Sequence, residues 1–199
     1  MLIYFCSDSM ELKDLLFDSS RRTADIAVGL VGDNPEIFKK FFDLALEDKS
    51  PYAMRAARVV QFAGKHHPEL IRPYAKELIL KFNSFRNVGL RRSILKIFTE
   101  RSLNLDDESL GILVDICFTC LVSPSEKPAM KMYAMVILYR ISQFYPDIKS
   151  ELISTIEDQM PRSSAAVKSV GKQTLAKLYK QIRTETLNRD FKGIREMEV

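Results

Sequence analysis

The amino-acid sequence predicts an all-α fold, arranged as a solenoid of helix pairs. Apolar residues recur with helical periodicity along almost the whole chain, whereas alternating strand patterns and Asn-Gly or Asp-Gly turns are nearly absent. Proline corners also recur, with 33 to 39 residues for each helix pair. The 199 residues are 46% hydrophobic and include only 7 Gly and 8 Pro. We therefore expect a buried core and a single domain over 1–199.

The corners set the predicted order of the helices. Residues 34–37, 67–70 and 145–148 share the form x-Pro-acid-aliphatic. Proline suits the first helical position, and an acid in the first turn faces the positive end of the helix dipole. We predict an extension and cap helix within 1–19, the helix itself at about 10–17, and repeats over 20–183. The repeats comprise pairs at about 20–48, 51–82, 86–121 and 126–160, and a last helix at 163–183.

Two of the predicted helices carry a narrow stripe of small or apolar residues. One stripe consists of Ala53, Ala56, Ala57, Val60, Ala63 and Gly64, and the other of Val167, Val170, Gly171, Thr174, Leu175 and Leu178. Small side chains on one face let a second helix approach closely. Both segments are therefore expected to be packed helices.

The two ends of the chain leave alternatives open. In the tail at 184–199, Leu187, Phe191 and Ile194 fall at i, i+4 and i+7, which fits a docking helix, a cap on the last repeat or a frayed end. We favour the cap, because terminal repeats need a polar outer face. Met10 could serve as the start instead of Met1. No secretory signal or membrane segment is recognised, and three cysteines fit a reduced compartment, so a cytoplasmic location is expected.

The segment MRAARVVQFAGKHHPELIRPYAKELI resembles a HEAT-type repeat, with a helix, a proline corner and a second helix. The resemblance covers roughly 20–183 and implies a right-handed α-α superhelix. The segments SPYAMRAARVV, KPAMKMYAMVILYRI and RSSAAVKSVGKQTLAKL are also similar to small bacterial HEAT-like proteins, some labelled adenylosuccinate lyase. The Gly-Ser-x-x-Met-x-x-Lys-x-Asn-Pro loop and the catalytic His and Ser of that lyase have no match in this sequence.

The residue types that carry catalysis do not form a recognisable site. Cys117 and Cys120 have CxxC spacing but lie late in an apolar helix with no strand before it, so we expect core residues. His66 and His67 point about 100° apart on a helix and flank a corner, unlike a chelating i, i+4 pair. No nucleophile elbow or phosphate loop is present. We expect no enzymatic activity, no metal and no cofactor.

Charge separates between the first and second helices of the predicted pairs. The chain carries +4 overall, but the first helices together with the last helix sum to +14 and the second helices to −8. In a HEAT-like stack, first helices form the outer layer and second helices line the inner groove. The resemblance therefore implies a basic outer layer and an acidic groove.

This separation supports two hypotheses. In the first, a protein-binding adaptor or scaffold holds a basic or amphipathic segment against an acidic groove of Asp106, Asp107, Asp115, Glu151 and Glu157. In the second, nucleic-acid phosphates bind a basic ridge of Arg55, Arg58, Arg91, Arg92, Lys96, Lys168 and Lys172. The protein partner is favoured, and the second hypothesis excludes base excision, because HEAT-like glycosylases use tryptophan and this chain has none. A membrane partner is not expected, and the oligomeric state is not predicted.

Overall fold

A computed structural model describes residues 9–100 and 104–197, with side chains from 12 to 185 outside that gap. Every regular element in these ranges is helical, which confirms the all-α prediction. The α-helices are α1 (Ser9–Leu15), α2 (Arg21–Val31), α3 (Pro35–Leu46), α4 (Tyr52–His66), α5 (Pro68–Ile71), α6 (Ala75–Leu80), α7 (Val88–Glu100), α8 (Asp107–Val122), α9 (Pro128–Ile141), α10 (Lys149–Gln159) and α11 (Ala165–Met197). The chain divides into two compact units, 1–113 and 114–199, and the single domain stays a prediction.

In the first unit, α4 lies at the centre and packs against α2, α3 and α7. The predicted stripe on α4 is fully buried, from Ala53 at 0% exposure to Val60 at 3%. A Cβ on Gly64 would lie 3.0 Å from the Cβ of Ile71, so the glycine lets α4 and α5 meet closely. The stripe therefore acts as predicted, as a surface for close helix packing.

The proline corners also form as predicted. Pro35, Pro68 and Pro146 each occupy the first turn of a helix. At the first corner, the Asn34 side chain accepts hydrogen bonds from the backbone N–H groups of Glu36 and Ile37, at 2.9 and 3.1 Å. Because the first N–H groups of a helix have no partner within it, this cap fixes where α3 begins.

The second helix of the pair predicted at 51–82 is broken, contrary to the prediction. It consists of α5, a 3-10 turn at Arg72–Tyr74, α6 and a second 3-10 turn at Phe82–Ser84. Pro73 lies within the first of these turns and has no N–H to donate to the preceding helical turn. The apolar pattern continues across the break, which explains why periodicity alone predicts one helix.

In the second unit, α9, α10 and α11 pack against one another. The helix predicted to end at 183 instead continues to Met197. The tail is therefore the continuation of α11 rather than a separate docking helix, since no Gly or Pro occurs at 184–192. The side chains of Leu187, Phe191 and Ile194 lie outside the described residues, and the capping role stays a prediction.

Candidate functional site

Two arginines of the predicted basic ridge fasten the segment that precedes α2. Arg55 Nη1 donates to the carbonyl oxygens of Leu16 (2.7 Å) and Phe17 (2.9 Å), and its Nε donates to Ser19 Oγ (3.2 Å). Arg58 Nη1 donates to the carbonyl oxygen of Ser19 at 2.7 Å. These guanidinium groups accordingly have fixed positions on α4, held by backbone acceptors.

A third arginine of the ridge, Arg92 on α7, completes a small basic cleft with Arg55 and Arg58. The cleft has a volume of about 80 Å³ and is also lined by the hydroxyl residues Ser19, Ser20, Thr23 and Ser93. Arg92 is exposed, and its guanidinium forms no hydrogen bond or ion pair with another residue in the described part of the chain. We refer to this feature, within the first unit, as the arginine cleft.

One carboxylate, Asp18, also lines the arginine cleft. Its Oδ1 accepts a hydrogen bond from the Ser20 backbone N–H at 2.8 Å. The Thr23 hydroxyl, the Ser20 N–H and hydroxyl, and the charge of Arg55 together hold the pKa of Asp18 below its usual range. The carboxylate is thus ionised at neutral pH and offsets part of the positive charge of the cleft.

The other ridge residues lie outside this cleft. The guanidinium of Arg91 lies 4.8 Å from the centre of the Phe82 ring, which is a cation-π contact. Lys96 pairs with Glu100 on the same helix, at 3.5 Å. Lys168 and Lys172 lie on α11 in the second unit. The structure therefore concentrates three of the seven predicted ridge residues into one site.

Two of the predicted groove carboxylates, Asp106 and Asp107, lie at the beginning of α8. Asp106 Oδ1 accepts from the Ser109 N–H at 2.8 Å, and its Oδ2 accepts from Lys76 Nζ at 2.9 Å. The Ser109 hydroxyl, the Lys76 ammonium and the Ser109 N–H hold the pKa of Asp106 well below its usual range. Asp106 accordingly serves as a helix cap with a neutralising partner, which sequence patterning alone does not reveal.

The remaining groove carboxylates, Asp115, Glu151 and Glu157, belong to the second unit and are all exposed. Glu157 Oε1 accepts from the Tyr179 hydroxyl at 2.7 Å, and this hydrogen bond raises the pKa of Tyr179. The carboxylates of Asp115 on α8 and Glu151 on α10 have no hydrogen-bond or ion-pair partner within 12–100 and 104–185. Those two carboxylates are therefore available to an outside ligand.

Two exposed aromatic residues precede Glu151 in the chain by six and seven positions, and the charge pattern of the sequence does not point to them. Phe144 is 83% exposed and Tyr145 is 45% exposed, at the corner between α9 and α10. Asp147 and Glu151 follow on the same corner and are also exposed. We define Phe144, Tyr145, Asp147 and Glu151 as the corner patch. Two adjacent aromatic residues before a proline corner were the signal that could have identified it.

The cysteines with described side chains are core residues, and His67 lies beside a proline corner. Cys117 and Cys120 are 0% and 2% exposed within α8, which confirms the prediction of core residues. Burial raises the pKa of the Cys117 thiol well above its usual range, and the neighbouring Cys120 adds to the shift. His67 Nδ1 lies 3.2 Å from Glu69 Oε1 beside the second corner. No cluster of three or more potential metal ligands occurs among the described side chains.

The comparison with known families decides what kind of repeat this is. The HEAT repeat domain family matches residues 12–178, most of the chain. The chain belongs to the HEAT repeat domain family. No match was found among curated proteins or among solved structures. HEAT repeats commonly mediate protein interaction and are typically not enzymes. Within the described residues, none of the helices is both long enough and apolar enough to cross a membrane.

Proposed function

We propose that the protein is a non-enzymatic HEAT adaptor that binds a basic or amphipathic segment of another protein. The corner patch carries this proposal, because it combines two exposed aromatic side chains with two exposed carboxylates. Aromatic residues dominate the binding energy of many protein interfaces, and carboxylates favour a basic partner. The adaptor needs no catalytic group or cofactor for this role. We also propose that it acts in the cytoplasm.

Fewer of the predicted groove carboxylates contribute to binding in this proposal than the sequence suggests. Asp106 has Lys76 as an internal partner, and Glu157 has Tyr179. Asp115 and Glu151 have no such partner among the described residues, so the acidic contribution to binding rests on these two. Because an internal ion pair or hydrogen bond must be broken before such a carboxylate meets a ligand, paired carboxylates contribute less to affinity.

The experiment uses the full chain as bait, identifies a captured protein, and then measures its dissociation constant for purified variants. Phe144→Ala and Glu151→Lys should each weaken binding at least tenfold, through loss of an aromatic contact or reversal of a charge. Asp33→Lys is the matched control, because Asp33 is an exposed acid in the turn between α2 and α3. Equal affinity for all three variants and the wild type would refute the proposal.

Nucleic-acid binding through the basic first-helix layer is a second candidate, and the arginine cleft is the observation that favours it. A mobility shift with generic duplex DNA and RNA tests it, since phosphate contacts make affinity fall steeply with salt. A shift at low ionic strength that Arg92→Ala abolishes would support the candidate. Absence of any shift at low ionic strength would eliminate it.

A further inference from the structure

The arginines of the cleft retain many unused hydrogen-bond donors. A guanidinium carries five N–H groups in a fixed plane. Arg55 uses its Nε and Nη1 groups on the 16–19 segment, which leaves both donors of Nη2 without a protein acceptor among the described residues. Arg58 uses only Nη1, and Arg92 uses none. The cleft therefore presents charged donors from three side chains, two of them already held in place.

The hydroxyl of Ser93 adds to this donor set. Ser93 is only 5% exposed and lines the cleft beside Arg92. Its hydroxyl makes no hydrogen bond to another residue within 12–100 and 104–185. A ligand in the cleft can therefore supply an acceptor for this hydroxyl.

We propose that the arginine cleft binds one phosphoryl group, carried by a phosphorylated serine or threonine of the protein partner. This inference rests on the proposed adaptor function. One water molecule needs about 10–15 Å³ of such a cleft, so a volume of about 80 Å³ accommodates the five heavy atoms of one tetrahedral oxyanion. Arginine binds phosphate oxygens through two parallel N–H groups, which suits a site with fixed guanidinium planes.

The surroundings of the cleft favour a single phosphoryl group over a nucleic-acid backbone. Nucleic acids bind along a row of free cations that contact successive phosphates. Two cations that could extend such a row are neutralised within their own helices, since Arg21 pairs with Asp25 at 2.7 Å and Lys96 pairs with Glu100 at 3.5 Å. Pairing of these two cations favours one phosphorylated side chain over a row of successive phosphates.

Asp18 limits how strongly an anion binds in this cleft. Its ionised carboxylate repels a phosphoryl group, while its hydrogen bond to the Ser20 N–H holds the segment in place. Asp18→Asn keeps an oxygen acceptor for that N–H and removes the charge. The variant should therefore bind phosphoryl groups more tightly than the wild type, about threefold to tenfold.

The test is an NMR titration of the full chain with inorganic phosphate and, separately, with a phosphoserine pentapeptide and its unphosphorylated form. We expect saturable binding of both phosphorylated probes, with amide shifts at 16–20 and 92–93. Arg92→Ala should weaken binding about tenfold or more, as expected for loss of charged hydrogen bonds. Arg72→Ala is the matched control, because Arg72 is an exposed arginine of the same unit outside the cleft.

Each outcome decides for or against the phosphoryl site. Tighter binding by Asp18→Asn together with weaker binding by Arg92→Ala supports it. Absence of saturation up to about 10 mM of either probe, or equal losses in Arg92→Ala and Arg72→Ala, overturns it. Binding of duplex DNA with no binding of phosphoserine also overturns it, in favour of a nucleic-acid site. Because the probes need no partner protein, failure here is distinguishable from failure of the corner patch to bind its partner.

Discussion

The close approach of α4 and α5 can be tested with alanine at two helical glycines that differ in their surroundings. Gly64 on α4 faces Ile71, whose Cβ and Cγ2 would each lie 3.0 Å from an added Cβ. Gly29 on α2 has no heavy atom within 4 Å of an added Cβ. Replacing a helical glycine by alanine gains about 1 kcal/mol of intrinsic helix stability at either site.

The two variants should therefore change stability in opposite directions. Gly29→Ala is expected to raise the free energy of unfolding by about 1 kcal/mol. Gly64→Ala gains the same amount but overpacks the contact with Ile71, which costs about 1–3 kcal/mol, so we expect a net loss of about 1 kcal/mol. For a chain of this size, 1 kcal/mol shifts the melting temperature by about 2–4 °C.

Urea unfolding followed by circular dichroism measures both changes, provided that the slope of each transition stays that of the wild type. Gly29→Ala serves as the control for helix propensity, because it changes the same atoms without the contact. The reasoning would be refuted if Gly64→Ala stabilised the protein as much as Gly29→Ala does. That result would mean that α4 and α5 do not meet as closely as the structure places them.

Three further predictions concern buried and paired groups. Cys117 should react with a thiol reagent only on unfolding, as followed by absorbance, because burial both encloses the thiol and raises its pKa. The pKa of Asp106 is lowered in the folded chain. The stability advantage of the wild type over Asp106→Asn should therefore be constant above about pH 4 and shrink below it. Unfolding curves at several pH values measure this difference. Glu185→Gln should lower the free energy of unfolding by about 1 kcal/mol in urea, because Lys149, only 7% exposed, loses its charged partner at 2.6 Å.

The helices and their packing faces follow closely from the sequence. The stripe on α4 and the prolines at 35, 68 and 146 each act through local rules, namely side-chain periodicity and the missing proline N–H. The interruption at Pro73 and the unbroken length of α11 depend on whether a residue such as proline stops the helix. A pattern of apolar residues does not show where a helix stops. Boundaries are therefore less predictable than the presence of the helices.

The candidate site was only partly predictable, because charge along a helix does not show which side chains are already paired. Arg55 and Arg58 count as free cations in the sequence, but they bind carbonyl oxygens of residues 16–19, about 40 positions earlier. Asp106 counts as a free acid, but it caps α8 and pairs with Lys76. Such long-range partners depend on how the helices are stacked, and they decide which charges remain for a ligand.

Hydrogen–deuterium exchange of the full chain, with and without a captured partner protein, tests the central claim most directly. The adaptor proposal predicts slower exchange in the partner complex at 142–153, which contains the corner patch. The control is the same measurement with Glu151→Lys, which should remove that protection at equal partner concentration. Protection confined to other segments, or unchanged protection at 142–153 in the complex, would contradict the proposed function.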